Sequence, residues 1–339
     1  MTHEFKDIVQ QGLAAKKQGI KSVLASVVAL NGSSYRRPGV RMLILENNQM
    51  VGAVSGGCVE KEILLQSQSV FKSGESKIMT YDGRYRLGCE GVLYILLELF
   101  QPDDAFEMAF SECIKERHSF EIHSYFTKSE GITSGLGTSI KLKNTIFSLG
   151  NLSEAQSTHL TVFKQTLPAC SKLVIVGAEH DAVQLCKYAA LTGWEVTIVA
   201  GPKEAKTIES FPGASDFYAI SPEDININSI DNQTSILLMT HSFANDLRFL
   251  VSIKNTNPNY IGVLGPTKRR EDLLAQFIEY CPDVEDDFLE RVHGPAGIDI
   301  GSETPQEIAI SIMAEILALT RKRDTISLSK KTGNIHSNS

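Results

Sequence analysis

The chain has 339 residues, of which 42% are hydrophobic and 22% charged, and its formal net charge at pH 7 is −7. This length exceeds the size at which a single hydrophobic core usually stops growing, so we expect two domains. The negative charge argues against nucleic acid or an anionic membrane as a partner, because both attract positively charged surfaces. An anionic ligand would therefore have to meet a local cluster of positive charge.

The sequence contains neither a pattern for a membrane span nor one for a secretory leader. Its longest strongly apolar run, 92–97, is far shorter than the roughly 18 residues of a spanning helix. Near the N-terminus, Phe5, Ile8, Val9 and Leu13 recur at helical spacing among charged residues, which predicts an amphipathic helix. The six cysteines include no CxxC pair, so we expect free thiols and a cytoplasmic protein.

The first half of the chain alternates between strand and helix patterns. Short runs rich in Val, Ile and Leu, bounded by Gly, Pro or Asn, predict strands, and longer amphipathic runs predict helices. The expected elements are strands at 22–30, 41–47, 50–55, 77–82 and 92–100, helices at 59–73 and 102–117, and shorter alternations over 120–150. This pattern predicts an N-terminal α+β domain over 1–155.

The second half is more regular, after a polar break at 148–160. Strands are expected at 172–177, 195–200, 234–242 and 260–265, and helices at 181–192, 243–254 and 267–280. Such alternation predicts an α/β, Rossmann-like domain with a doubly wound parallel sheet over 165–320.

One more helix closes the second domain. Thr304 is its expected N-cap, Pro305 its first residue and Glu307 completes a capping box. The remaining residues, 321–339, contain five basic side chains among Ser, Thr and Asn. We expect a disordered, solvated tail there.

A turn rich in arginine follows the first predicted strand. Gly32 lets the backbone approach a bound group closely, and the hydroxyls of Ser33 and Ser34 add hydrogen-bond donors. Arginine forks suit phosphate or a similar oxyanion, and this segment carries Arg36, Arg37 and Arg41. The turn therefore predicts an anion site.

A second small-residue turn, SGGC, leads from a predicted strand into a helix. Its loop is Ser55, Gly56 and Gly57, and the helix begins near Cys58 with Glu60 in its first turn. Helix N-termini favour anions, so we expect Cys58 to act as a thiolate and Glu60 to be a candidate proton acceptor.

A third segment, LGCEG at 87–91, repeats the theme with Cys89. We expect the three loops to converge on one pocket. The alternative is a set of tight turns with surface arginines and small buried cysteines.

The start of the second domain departs from a dinucleotide fingerprint. Gly177 is present, but Glu179 stands where the second glycine should let the backbone touch a pyrophosphate. No acidic residue ends the next strand at 197–201, so NAD(P) binding in the usual pose is not expected. His180 and Asp181 at the helix start are candidate ligand contacts, although His180 could serve only as a cap.

Two further segments reach the same edge of the predicted sheet. Lys268, Arg269 and Arg270 fall in the first turn of a helix, where cations are unfavourable unless an anion faces them. The glycine-rich segment 293–301 brings His293 to that edge. The alternatives are a solvated basic face and a turn shaped for packing.

These motifs together resemble a known family. GSSYRRPGVRM, SGGCVE and LGCEGVLYILLE are similar to the N-terminal signature of the xanthine dehydrogenase accessory (XdhC/CoxI) family. VGAEHDAVQL, YIGVLGPTKRRE and VHGPAGIDIGSETPQEIAISIMAEI resemble the Rossmann-type domain of that family. One departure is Glu90, since family members usually carry two small residues after the second cysteine. It makes a role for Cys89 less secure than one for Cys58.

The resemblance implies a maturation factor that binds molybdenum cofactor, a phosphate-bearing molybdopterin, and hands it in sulfurated form to an apo-molybdenum hydroxylase. Thiolates are soft ligands, so Cys58 is a candidate molybdenum ligand. A cysteine desulfurase is a second implied partner, and a homodimer is left open. Two alternatives remain at this point, an NAD(P)-dependent oxidoreductase and a docking module that binds no small molecule.

Overall fold

A computed structural model describes residues 1–32, 37–55, 57–83, 91–152 and 159–331. The chain divides into two compact units, Met1–Ala169 and Cys170–Ser339. In the described part of the chain, no helix combines the length and apolar character that crossing a membrane would require.

The described part of the first unit has three helices and two antiparallel sheets. The helices are α1 (Thr2–Lys17), α2 (Cys58–Ser73) and α3 (Asp104–Lys115). The strands are β1 (Ser22–Asn31), β2 (Arg41–Leu45), β3 (Met50–Gly52), β4 (Lys77–Asp82), β5 (Val92–Leu99), β6 (Phe120–Phe126), β7 (Gly131–Ile132), β8 (Gly137–Leu142), β9 (Thr145–Ser148) and β10 (Thr161–Leu167).

The larger sheet of this unit has the order β3-β2-β1-β5-β4-β7, and the smaller one has the order β10-β6-β8-β9. Alternate residues of β1 face opposite sides. Val23 and Ala25 pack with Ile63 of α2, whereas Leu24 belongs to the core that contains Phe5 of α1 and Ile140 of the smaller sheet. The larger sheet is therefore covered by α2 on one face and by α1 and the smaller sheet on the other.

The first unit extends beyond the predicted residue 155, because it includes strand β10. Residues Thr161–Leu167 pair in antiparallel register with Phe126–Phe120. Part of the segment assigned to the second domain from 165 therefore belongs to the smaller sheet, and the second unit begins at Cys170. Most of β10 is solvent-exposed, so its apolar pattern is too weak to mark it as a strand.

The described part of the second unit alternates strands and helices. The strands are β11 (Lys172–Val176), β12 (Glu195–Ala200), β13 (Asp216–Ala219), β14 (Thr234–Leu238), β15 (Tyr260–Val263) and β16 (Val292–His293). The helices are α4 (His180–Leu191), α5 (Phe243–Ser252), α6 (Thr267–Tyr280), α7 (Asp286–Glu290) and α8 (Pro305–Thr320).

These six strands form one parallel sheet in the order β13-β12-β11-β14-β15-β16. Numbered from the first strand of the unit, this is the 3-2-1-4-5-6 order of a Rossmann fold. Leu185 of α4 and Ile312 of α8 pack on one face, and Leu250 of α5 and Leu273 of α6 pack on the other. The predicted α/β class with a Rossmann-like second domain is confirmed.

The last helix begins as the sequence predicts. The Thr304 hydroxyl accepts from the backbone N–H of Glu307, whose carboxylate accepts from the backbone N–H of Thr304 at 2.9 Å. Beyond α8, the described tail residues include a short 3-10 turn at Leu328–Lys330. The predicted disorder of residues 332–339 lies outside the described residues.

Candidate functional site

Three motif loops leave the same end of the larger sheet of the first unit. Strand β1 ends at Asn31 opposite Val92, the first residue of β5, and Asp82 at the end of β4 is also opposite Val92. Met42 near the start of β2 is opposite Gly52 at the end of β3. The segments 32–40, 53–57 and 83–91 therefore all adjoin strands at the same end of the larger sheet. The topology thus places the described ends of the arginine turn, the SGGC turn and the Cys89 segment at the same end of the sheet.

The described part of the arginine turn presents one guanidinium to solvent. Arg37 is exposed, and Gly32 is exposed with φ +87°, a left-handed conformation that favours glycine. The other predicted contacts in this turn, Ser33, Ser34 and Arg36, lie outside the described residues.

Arg41 does not join that surface. Its side chain is 6% exposed, and Nη1 donates to the carbonyl of Gly39 at 2.8 Å and to Oε1 of Gln165 at 2.5 Å. The guanidinium also lies 5.6 Å from the ring centroid of Phe5. Burial lowers the pKa of Arg41 to about 10, against an opposing effect of Glu98. This placement does not fit the predicted phosphate contact, because the side chain points into the unit.

The SGGC turn carries an exposed thiol. Cys58 is the first residue of α2, and its side chain is exposed. Gly57 precedes it with φ +110°, and Ser55 is half-buried. Gly56 lies outside the described residues. The other cysteines in the described part of the chain are buried, so Cys58 is the one there with access to a ligand.

Glu60 shapes this turn instead of facing a ligand. Its carboxylate accepts from the backbone N–H groups of Val54 at 3.1 Å, Ser55 at 2.5 Å and Gly57 at 2.6 Å. The side chain is 7% exposed. The chain's own carboxylate therefore occupies backbone donors of the loop that precedes α2, and the predicted role of Glu60 as a proton acceptor has no support in this geometry.

The predicted metal contact rests on Cys58 alone. Within the described residues, no group of three or more His, Cys, Asp or Glu side chains could hold a metal ion. Cys89, the second candidate thiol, lies outside the described residues. What Cys58 offers is a single sulfur ligand beside a loop with positive charge.

Gly177, at the end of β11, has a packing role. Its N–H donates to the carbonyl of Val199 at 2.9 Å, and a Cβ at this position would lie 2.5 Å from the backbone oxygen of Met239. Its φ is +140°. The glycine is thus required by contact between neighbouring strand ends, whatever else approaches it.

The start of α4 is open to solvent. Glu179 and His180 are exposed, and Asp181 is half-buried. Sequence reasoning missed Lys206, whose ammonium donates to the carbonyl of Ala178 and lies 4.0 Å from Glu179. This lysine comes from the irregular segment after β12, where no periodic pattern identifies it. It brings a positive charge to the carboxyl edge of the sheet.

At the start of α6, two of the three basic side chains already have partners within the protein. Arg269 forms an ion pair at 2.7 Å with Asp246, which is 0% exposed and also accepts from the Thr240 hydroxyl at 2.7 Å. Nε of Arg270 donates to the carbonyl of Val292 at 2.9 Å. Lys268 is exposed. The anion that faces Arg269 is therefore Asp246, and Lys268 is the cation of this group available at the surface.

His293 lies in a cluster of titratable side chains. Its ring stacks on Tyr260 with centroids 4.9 Å apart, and the Tyr260 hydroxyl donates to Glu315 at 2.6 Å. Burial lowers the pKa of His293, more than nearby Glu315 raises it, and burial together with Glu315 raises the pKa of Tyr260. The half-buried imidazole is thus held mainly by packing.

Two family models match this chain. The model described as the XdhC and CoxI family matches residues 15–82, and the model described as the XdhC Rossmann domain matches residues 173–316. The matched regions include the arginine turn, the SGGC turn and all six strands of the parallel sheet.

Relatives of similar length carry names that concern molybdenum enzymes. A protein of Bacillus subtilis, named as a probable xanthine dehydrogenase subunit, is 27% identical over 89% of this chain and 94% of its own length. The molybdenum cofactor insertion chaperone PaoD of Escherichia coli is 21% identical over 94% of this chain and 90% of its own. A solved structure from Bacillus halodurans, described as a xanthine dehydrogenase, has a TM-score of 0.77 and 23% identity, covering 94% of this chain and 97% of the other.

Proposed function

Because this chain belongs to the XdhC and CoxI family, we propose that it is a molybdenum cofactor-binding insertion chaperone for a molybdenum hydroxylase of the xanthine, aldehyde or carbon monoxide dehydrogenase type. A role in molybdenum cofactor maturation is what its full-length relatives support. Xanthine dehydrogenase is named in one of them and cofactor insertion in the other.

The observation that supports the proposal is that the described ends of three motif loops lie at one end of the larger sheet. The described part of that edge offers a guanidinium, Arg37, and a thiol, Cys58, both exposed. Guanidinium groups suit the phosphate of a pterin, and sulfur is a soft ligand that suits molybdenum. When bound, the cofactor would supply the metal and its sulfur ligands, and this chain would bind, orient and release it.

The residues proposed to touch the cofactor are those that the structure leaves available and those outside the described part. The first group is Gly32, Arg37, Cys58 and the hydroxyl of Ser55, and the second is Ser33, Ser34, Arg36, Gly56 and Cys89. Gly57 is left out because its N–H is held by Glu60. Arg41 and Glu60 are omitted because their side chains bind the protein itself.

The test is cofactor retention by the full chain purified from a host that makes molybdenum cofactor. Oxidation of bound molybdopterin gives a fluorescent pterin, which measures occupancy. We expect Arg36→Ala with Arg37→Ala to lower occupancy at least tenfold, and Cys58→Ser to lower it as well. Arg248→Ala, which changes a surface arginine that is 52% exposed in the second unit, is the matched control and should leave it unchanged.

Equal occupancy in all variants would contradict the proposed site. No pterin in the wild-type protein, together with no change on adding molybdopterin, would contradict the proposed function itself. Glu179 at the start of α4 would repel a pyrophosphate, so we expect NADH to leave thermal stability unchanged. A rise of several degrees would instead favour the oxidoreductase alternative.

The partners proposed are an apo-molybdenum hydroxylase as receiver and a cysteine desulfurase as the source of the sulfur ligand. Both would meet this chain in the cytoplasm. The homodimer stays a prediction, which light scattering on the purified full chain would test.

A further inference from the structure

The interior of the first unit contains polar atoms that no protein group satisfies. Ser26, Arg41 and Glu98 are 0%, 6% and 1% exposed. The Ser26 hydroxyl, Nε and Nη2 of Arg41, and Oε1 of Glu98 are buried without a hydrogen-bond partner in the protein. Buried polar groups in folded proteins are almost always paired, with protein or with ordered water. Their clustering in one unit calls for a common explanation.

Strand register places these three side chains on one face. Ser26 on β1 is directly opposite Arg41 on β2, and Leu24, two residues earlier, is opposite Glu98 on β5. Residues two apart on a strand share a face. Ser26 therefore lies on the central strand, between the strand that carries the guanidinium and the strand that carries the carboxylate.

Each charged group is anchored at one end only. Nη1 of Arg41 is held by Gly39 and Gln165, whereas Nε and Nη2 are unpaired. Oε2 of Glu98 accepts from the backbone N–H of Thr138 at 2.8 Å, whereas Oε1 is unpaired. The donors belong to Arg41 and the acceptor to Glu98, with a hydroxyl that can act as either on the strand between them. This is the set of partners that buried water needs.

We propose that Arg41, Ser26 and Glu98 bind ordered water as an internal bridge between two buried charges, and that the protonation state of Glu98 makes this bridge a pH-sensitive clamp on the arginine turn. The clamp acts through Arg41, which holds the carbonyl of Gly39 at the base of that turn. This inference does not depend on the proposed cofactor.

The surroundings of Glu98 bring the titration of its carboxyl close to neutral pH. Burial raises the pKa of Glu98 to about 7, against hydrogen bonds from Thr138 and the attraction of Arg41. Further polar groups near this region are Ser124 of β6, 3.1 Å from the Thr138 hydroxyl, and Ser139 of β8, whose buried hydroxyl has no partner in the protein. On the far side of Arg41, Glu4 of α1 lines a small pocket. Arg41 stays charged at neutral pH, so a proton on Glu98 leaves the guanidinium without its counter-charge. A local opening that releases Gly39 while Glu98 stays buried is therefore easier at low pH, whereas global unfolding, which exposes Glu98, is easier at high pH.

Hydrogen exchange of the full chain tests the clamp. The backbone N–H of Gly39 donates to Val27 at 2.8 Å, and that of Val27 donates to Val40 at 3.0 Å. After correction for intrinsic exchange rates, we expect protection of these two amides to be about tenfold lower at pH 6 than at pH 8, the factor that one pKa unit of coupling produces. The amide of Leu45, at the other end of β2, serves as the internal control and should show no such change.

The variant Glu98→Gln should abolish this pH dependence and give the protection seen in the wild type at pH 6. Carbon-13 NMR of the wild-type Glu98 carboxyl, which needs no variant, should give a midpoint of about 7. A midpoint near 4.5, the ordinary glutamate value, would overturn the proposal. A pH dependence that persists in Glu98→Gln would overturn it as well, as would a high-resolution crystal structure without water between Arg41 and Glu98.

Discussion

The buried carboxyl of Glu98 should make this protein lose stability as the pH rises, and Glu98→Gln should remove that loss. The folded protein holds the proton up to a pKa of about 7, whereas an unfolded glutamate releases it at 4.5. Below pH 4.5 both states bind the proton, and above about 7 neither does. Between these values only the folded state binds it, so the free energy of unfolding falls as the pH rises.

The magnitude follows from the same two values. A difference between 4.5 and about 7 corresponds to about 3 kcal/mol, at about 1.4 kcal/mol per pH unit. Glutamine keeps an oxygen that can accept from the Thr138 N–H but cannot ionise. The free energy of unfolding of Glu98→Gln, relative to the wild type, should therefore increase by about 3 kcal/mol between pH 4.5 and pH 8.

Urea unfolding of the full chain at several pH values measures this difference. The chain has one tryptophan, Trp194, which belongs to the second unit, so its fluorescence reports that unit while circular dichroism reports both. Glu112→Gln, which changes a carboxylate that is 58% exposed on α3, is the matched control. A constant difference between Glu98→Gln and the wild type across this pH range, or one that shrinks with rising pH, would refute the reasoning.

Three further substitutions test the second unit by urea unfolding. Thr304→Ala removes the N-cap of α8 and should lower the free energy of unfolding by about 1 kcal/mol; an unchanged midpoint would contradict the cap. Gly177→Ala places a Cβ 2.5 Å from the backbone oxygen of Met239 at φ +140°, so we expect a loss of about 2 kcal/mol, whereas Gly201→Ala, with open space around its Cβ, should be near neutral. Asp246→Ala leaves the guanidinium at the start of α6 without its buried partner and should cost about 3 kcal/mol; a loss below about 1 kcal/mol would show that the ion pair is dispensable.

Strong local patterns made much of the fold predictable. The strands of the parallel sheet are short runs rich in apolar residues, and at Thr234–Leu238 every residue is buried on both faces. The helix at Pro305–Thr320 carries its start signal in adjacent residues. In contrast, Asp216–Ala219 and Val292–His293 are short strands at the two edges of the sheet. Their places depend on neighbouring strands and not on a periodicity of their own.

The loops that carry the candidate residues could be predicted from the sequence, but the directions of their side chains could not. Glycine, arginine and cysteine between strands marked the loops, because backbone turns and anion contacts need those residue types. The Arg41 side chain points into the unit, where it donates to Gln165, a residue 124 positions away in sequence. The hydrogen bonds of Glu60 depend on the directions of the backbone N–H groups of Val54, Ser55 and Gly57. The contact between Arg41 and Gln165 leaves no signal in the local sequence, whereas Glu60 stands three residues after the N-cap Gly57, the capping-box position that signals its bond to the Gly57 N–H.

The carboxylate of Glu60 gives the SGGC turn its shape before any guest arrives. Because the backbone N–H groups of Val54, Ser55 and Gly57 are already held, a molecule that meets the Cys58 sulfur does not have to order these three residues. Pre-organised loops avoid the entropic penalty of induced folding, and their contacts can form and break without refolding the surroundings. Such a loop would suit the carrier role proposed above, in which cargo is accepted and then released.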